Sequence, residues 1–248
     1  MKFGTGRSAV EVNIPTRTAL FQAVREKFAK GDGFALATLN LDHLTKLPCD
    51  TAFADAYQAQ DLVVADGRPI VWLSQLANQP LELMPGSDLV IPLCELATEM
   101  GVPVAFVGSS DEALAGAKAA LEQRVQKIKI VLAHAPAYGF DPTGAAAAEI
   151  CEMLNESGAG LCFIALGAPK QEVFAAFAKA RSPAVGFASI GAGLDFLSGH
   201  QVRAPQFMRA LALEWLWRAL QSPRRMVPRY AKCFAILPRL TRQAWQQR

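Results

Sequence analysis

The sequence predicts an α/β protein, with a Rossmann-like, mostly parallel sheet, helices on both of its faces, and a C-terminal helical appendage. Three observations carry this. Six short apolar runs, at Phe34–Leu39, Leu62–Ala65, Val104–Gly108, Ile128–Leu132, Gly160–Gly167 and Ala184–Ile190, read as buried parallel strands. Alanine-rich, helix-like stretches such as Glu112–Gln126 and Gly144–Asn155 lie between them, and strand–helix alternation of this kind builds a parallel sheet covered on both sides. Near residue 200 the pattern changes to helix-forming stretches broken by Pro205, Pro223, Pro228 and Pro238, with no convincing strand. The boundaries that follow are an α/β core over 1–196 and a basic helical appendage over 197–248.

Composition limits the functional classes. Hydrophobic residues make up 52% and charged residues 19% of 248, enough for a sizeable core and against wholesale disorder. The net charge of +3 hides an asymmetry: residues 200–248 hold ten Lys/Arg and one acid, Glu214, so the tail is +9 and the remainder −6. A basic tail on an acidic body seeks an anionic partner, and on charge alone nucleic acid and anionic lipid both qualify. Cys49, Cys94, Cys151, Cys162 and Cys233 are scattered in apolar sequence and read as buried small hydrophobes in a reducing cytosol. His43, His134 and His200 form no metal-spaced set. The N-terminus lacks an apolar signal core, and no apolar run reaches the roughly 18 residues of a membrane span, so membrane contact is expected to be peripheral.

In open α/β sheets ligands sit beyond the carboxyl ends of the strands, and several strand ends here deliver polar or small residues. Thr38-Leu39-Asn40 closes the first run; read alone it is a turn or helix cap. Asp66, in Ala65-Asp66-Gly67-Arg68-Pro69, is placed to act as a general base, against the plainer reading of a cap or tight Asp-Gly turn. Gly167-Ala-Pro-Lys170-Gln171-Glu172 opens a helix whose free amides, with Lys170 and Gln171 beside them, would cradle a diphosphate. It is not a P-loop, because the Lys-Ser/Thr spacing is absent, and Gly4-Thr-Gly6 follows no strand and is set aside as a dinucleotide fingerprint. Gly191-Ala-Gly193-Leu-Asp195 allows close backbone approach and offers a carboxylate to a ribose hydroxyl or a base. Gly108 ends another strand, and Tyr138 could supply a stacking ring.

The tail joins Arg203-Ala-Pro205 to Glu214-Trp-Leu-Trp-Arg218, Ser222-Pro-Arg224-Arg225 and Arg229-Tyr230. Met208, Leu211, Ala212, Trp215 and Ala219 fall on one helical stripe, widened by Leu213, Leu216, Trp217 and Leu220. Tryptophan interleaved with arginine suits a water–lipid interface, and a packed C-terminal helix is the alternative. No Asp-x-Asp pair exists to hold a divalent metal on a nucleotide diphosphate.

Taken together, T-L-N, A-D-G-R-P-I-V-W, G-S-D-L, G-A-P-K-Q-E, G-A-G-L-D-F-L-S-G, R-A-P and L-E-W-L-W-R…S-P-R-R…R-Y resemble the WecG/TagA/CpsF glycosyltransferases (glycosyltransferase family 26), in order and spacing, from about residue 34 to 231. The resemblance implies an inverting enzyme that needs neither metal nor other cofactor. Such an enzyme moves a sugar from a UDP-sugar donor to an undecaprenyl-diphosphate-linked acceptor at the inner face of the cytoplasmic membrane. The products are teichoic acid, common antigen or exopolysaccharide, and the appendage docks on the anionic membrane and helps to complete the active site. Carried over residue by residue, Asp66 matches the base, Thr38 and Asn40 pocket residues, and Gln171 a diphosphate-proximal glutamine. Asp195 lies in the nucleotide segment, with Gly108, Tyr138, Gly167, Lys170, Gly191 and Gly193 as its nucleotide-side neighbours, and Arg218, Arg224 and Arg225 match appendage arginines. Where the family commonly has a pocket arginine this chain has Leu83, which leaves acceptor handling to Arg68 or changes it. The rival classes are an α/β nucleotide-binding oxidoreductase and a nucleic-acid-binding module; the missing Gly-x-Gly-x-x-Gly weakens the first, and the paired tryptophans and polar strand ends the second. Nucleic acid is therefore not an expected partner, and the oligomeric state, homo-oligomer included, stays open.

Overall fold

The computed structural model describes residues 1–201, 204, 205, 208 and 213–248. Arg203, Leu211 and Ala212, named above in the tail motif and its stripe, lie outside the described residues. A two-stranded antiparallel ribbon, β1 (Lys2–Phe3) and β2 (Val10–Glu11), starts the chain. The body is a six-stranded, wholly parallel sheet in the order β4 (Leu62–Ala65), β3 (Phe34–Leu39), β8 (Gly186–Ser189), β7 (Leu161–Ala165), β5 (Val104–Gly108), β6 (Ile130–His134). All six expected strands exist. The fourth run begins later, at Ile130, and is half-buried rather than buried at one edge of the sheet. The last two are shorter than the apolar runs that announced them.

Alternation along the strands sends side chains to opposite faces. Leu36, Val64, Phe106, Phe163 and Ala188 face one layer, formed with α1 (Arg17–Lys30), α5 (Gly86–Glu99), α6 (Asp111–Arg124) and α9 (Gly193–Leu197). On the other face Ala35, Val107, Cys162, Ile164 and Phe187 pack under α7 (Ala145–Ser157) and α8 (Lys170–Arg181). Beside them Ala37, Leu39, Val63 and Ala65 pack under α2 (Leu41–Lys46), α3 (Thr51–Gln58) and α4 (Arg68–Leu76). Helix α5 forms although it contains Pro92. Its register is set by Gly86, where a Cβ would come within 2.9 Å of the Ile190 backbone.

The tail folds as α10 (Glu214–Gln221) and α11 (Pro223–Gln246). Pro223 sits in the first turn, where its missing N–H is not needed, but Pro228 and Pro238 lie inside α11 and do not break it. Each costs about 3 kcal/mol in an isolated helix. Met226, Cys233, Leu240 and Ala244 form one buried stripe that offsets this, at about 1.5–3 kcal/mol for each large apolar side chain. The helix packs on α2 and α4, and Cys233, Leu240 and Ala244 share a core with Phe3, Val10 and Val12 at the N-terminal ribbon. Gln243 closes the arrangement, donating to the Gly4 carbonyl (2.9 Å) and accepting from the Gly4 N–H (3.2 Å). Among the described residues no helix is long and apolar enough to cross a membrane.

Candidate active site

The carboxyl ends of β3, β4, β7 and β8 open into one cavity of about 1860 Å³, roofed by α10 and α11. Its floor includes Thr38, Asn40, Asp66, Arg68, Gly167, Gln171, Gly191 and Asp195; its roof includes Trp215, Arg218, Arg225, Arg229, Tyr230 and Lys232. The structure thus gathers ten of the residues singled out above, from Thr38 to Arg225. Five others stand outside the lining. Gly108 packs its backbone against Ala165, and Gly193 is buried against Ile190 and Val90. Tyr138 is fully exposed, Lys170 turns its ammonium to the Phe140 carbonyl (2.8 Å), and Arg224 faces solvent. Leu83 is on the cavity wall, near the start of α5.

Asn40 serves both readings weighed above. Its Oδ1 accepts the His43 N–H (3.2 Å) as the cap of α2, and its Nδ2 donates to Asp66 Oδ2 (3.2 Å). Asp66 caps nothing: Gly67, at φ 90°, occupies the cap position of α4 and frees the carboxylate to face the cavity. Burial raises the Asp66 carboxyl above its ordinary value; the Asn40 bond and the Arg218 charge oppose this, while Glu214 and Asp88 add to it. A carboxylate held by one donor and destabilised by its surroundings is suited to taking a proton.

Gln171 is 2% exposed and fixed at both ends of its amide: Oε1 accepts the Gly191 N–H (3.1 Å) and Nε2 donates to Glu172 Oε1 (2.8 Å). Asp195, in the first turn of α9, accepts from the Ser109 hydroxyl and from Gln201 Nε2 (2.7 Å), which ties β8 to the end of β5. In the roof, Arg218 pairs with Glu214 (3.0 Å) and its guanidinium lies 5.6 Å from the Phe196 ring centre. Trp215 packs edge-on against Tyr230 and Phe234, which locks α10 to α11.

Sequence reasoning missed a polar cluster on the cavity wall, where Asp42, His43 and Lys46 of α2 meet Arg229 of α11. Asp42 Oδ2 forms ion pairs with both Lys46 (2.7 Å) and Arg229 of α11 (2.8 Å), and Lys46 also donates to the Ala168 carbonyl (3.1 Å). Burial works against the Asp42 charge, but Lys46 and Arg229 outweigh it and hold the carboxyl below its usual range. The Tyr57 hydroxyl lies 2.6 Å from His43 Nδ1 and 3.1 Å from the Thr38 carbonyl, so one buried polar chain joins α2, α3 and β3. Burial pushes His43 down to about 3, so it is neutral. The signal was available only in part: Asp42 and His43 follow Thr38-Leu-Asn40 directly, but nothing local links them to Arg229, nearly two hundred residues on. Cys49, expected buried, is exposed at the cavity edge; the other four cysteines are buried.

Among the described residues no three His, Cys, Asp or Glu side chains converge as a metal site. A strand-end carboxylate, amide-bearing helix starts and a roof of arginines around one cavity fit transfer of a group from a phosphorylated donor. The family model of the "Glycosyl transferase WecG/TagA/CpsF family" matches residues 8–248, and this protein belongs to that family of glycosyltransferases.

Proposed function

We propose that the protein is an inverting glycosyltransferase that moves a hexose or N-acetylhexosamine from a UDP-sugar to an undecaprenyl-diphosphate-linked acceptor, in the synthesis of exopolysaccharide, teichoic acid or common antigen. The observation that carries this is Asp66: a carboxylate of raised pKa on the cavity floor, held by Asn40 and facing the arginines of α10 and α11 across the cavity. Asp66 takes the proton of the acceptor hydroxyl as that oxygen bonds to the anomeric carbon. The bond from that carbon to UDP breaks on the opposite face, and its electron pair leaves with the diphosphate. Gln171, the N-termini of α8 and α5, and Arg218 and Arg225 offset that charge in place of a metal. Asp195 takes the nucleotide side, and Thr38, Asn40 and Arg68 the sugar or acceptor side. The cationic, apolar-studded outer surface of α10 and α11 rests on the inner face of the cytoplasmic membrane.

The test is UDP release across a panel of UDP-sugars with a short-chain lipid-diphosphate sugar as acceptor. Turnover requiring both substrates, lost in Asp66→Asn, is expected. Near-normal turnover in that variant removes Asp66 as the base, and silence across the whole panel removes the donor class.

A further inference from the structure

Glu172 is fully buried in the first turn of α8, beneath the cavity floor rather than on it. Its Oε1 accepts from Gln171 Nε2, and its Oε2 has no hydrogen-bond partner. A carboxylate at a helix start needs no burial to complement the helix dipole, and burying one is costly. The segment beneath is nevertheless built around it. Gln60, just past the end of α3, donates to the Glu172 backbone carbonyl (3.3 Å), and Tyr57 of α3 with Lys46 and Asp42 of α2 complete the polar and charged surroundings.

What Glu172 does is legible from the amide next to it. A primary amide offers one carbonyl and two N–H groups. The Gly191 N–H can only donate, so the Gln171 oxygen must face it; Glu172 takes one N–H, and a single N–H remains on a side chain that borders the cavity. We infer that Glu172 is a positioning residue: it holds the Gln171 amide in one orientation, pins the Gly191 turn to α8, and leaves one Gln171 N–H for an anionic oxygen of the ligand. This rests on the reading of Gln171 as a contact of the donor diphosphate. Burial raises the Glu172 carboxyl to about 7, against the Gln171 bond, which favours the charged form. The protonated carboxyl still accepts through its carbonyl oxygen, so the orientation does not depend on the charge, and Gln at this position preserves it.

The test is a double-mutant cycle on the full chain, read by calorimetric titration with UDP as the probe and by thermal unfolding. Gln171→Ala and Glu172→Leu are each expected to weaken UDP by the same factor, on the order of tenfold. The double variant is expected to lose no more than either, and Glu172→Gln to stay within about twofold of the parent. Glu172→Leu is expected to keep or raise Tm, because an apolar side chain suits this buried position; Glu172→Met takes its place if Leu does not fold. Losses that multiply in the double variant, or UDP affinity unchanged by Glu172→Leu and Glu172→Met, overturn the inference alone. UDP affinity unchanged by Gln171→Ala overturns the reading of Gln171 as well, and the inference with it.

Discussion

The floor and the roof of the cavity are built by opposite means. On the floor three functional side chains are tied to elements other than their own: Asn40 to Asp66, Gln171 to Gly191, Asp195 to Ser109. Thr38 and Gln171 are 4% and 2% exposed. The roof instead presents cations at a wet surface, beside exposed Leu220, Val227, Phe234 and Trp245. Hydrogen-bonded groups act where the reacting atoms must be placed to a fraction of an ångström, and solvent-facing charges act where a spread diphosphate charge needs only to be met. The largest effect should therefore come from the floor. Asp66→Asn is expected to lower kcat by about 10²–10⁴ with UDP affinity unchanged, by UDP release and calorimetry. Since the base must be ionised and its pKa is raised, the parent rate should climb with pH to a plateau reached above the ordinary aspartate value of 3.8. That limb should vanish in the variant; a parallel loss of UDP affinity would place Asp66 in the roof's class.

A roof of charges should respond to salt. Arg225 lines the cavity and Arg224, its neighbour, does not. Arg225→Ala is expected to weaken UDP on the order of tenfold and to flatten the decline of affinity with ionic strength, while Arg224→Ala moves either by less than about twofold. Equal effects of the two would mean that the roof acts as a diffuse field rather than as placed groups.

The same division decides what was legible in the sequence. The strands were, because a run such as Phe34–Leu39 is buried on both faces and carries no polar residue before Thr38. So were the floor residues, which lie at strand ends or in the turns and first helical turns just beyond them. The roof was harder. Pro228 and Pro238 read as breaks, because the stripe of Cys233, Leu240 and Ala244 that keeps α11 continuous gains its value only against the core it shares with α2 and α4. The family match begins at Ser8, well before the first recognised motif, and the intervening segment is ribbon and α1, which carry packing rather than chemistry. Glu172 was quoted as part of a motif without a role, since a buried carboxylate and an exposed one look alike in sequence.

Asp42 is where floor and roof meet. Asp42→Asn removes the charge that faces both Lys46 and Arg229, and leaves two cations together. Those partners are about one-third exposed, which moderates the effect to about 1–3 kcal/mol of unfolding free energy, from denaturant midpoints. The Asp42 carboxyl is depressed in the folded state, so its contribution is present above the ordinary value of 3.8 and is lost as pH falls through the lower folded value. The parent and the variant should therefore converge in stability at acid pH. A constant gap across that range would mean that the pair contributes through packing, not charge.

The smallest change tests what the outer surface of the roof is for. Leu220 is 69% and Trp245 60% exposed, and neither borders the floor. Replacing either by Ser removes apolar surface that the fold does not bury, so Tm and UDP affinity should hold, with stability changing by under about 0.5 kcal/mol. A side chain of this kind contributes to membrane partition only when it enters the lipid interface. Sedimentation with anionic vesicles should fall several-fold for Leu220→Ser and Trp245→Ser, and further for the pair, with the loss greatest at high salt, where the arginines are screened. Partition that is unchanged in the pair but abolished by salt would assign the surface to charge alone, and leave the exposed apolar side chains of α10 and α11 without a membrane role.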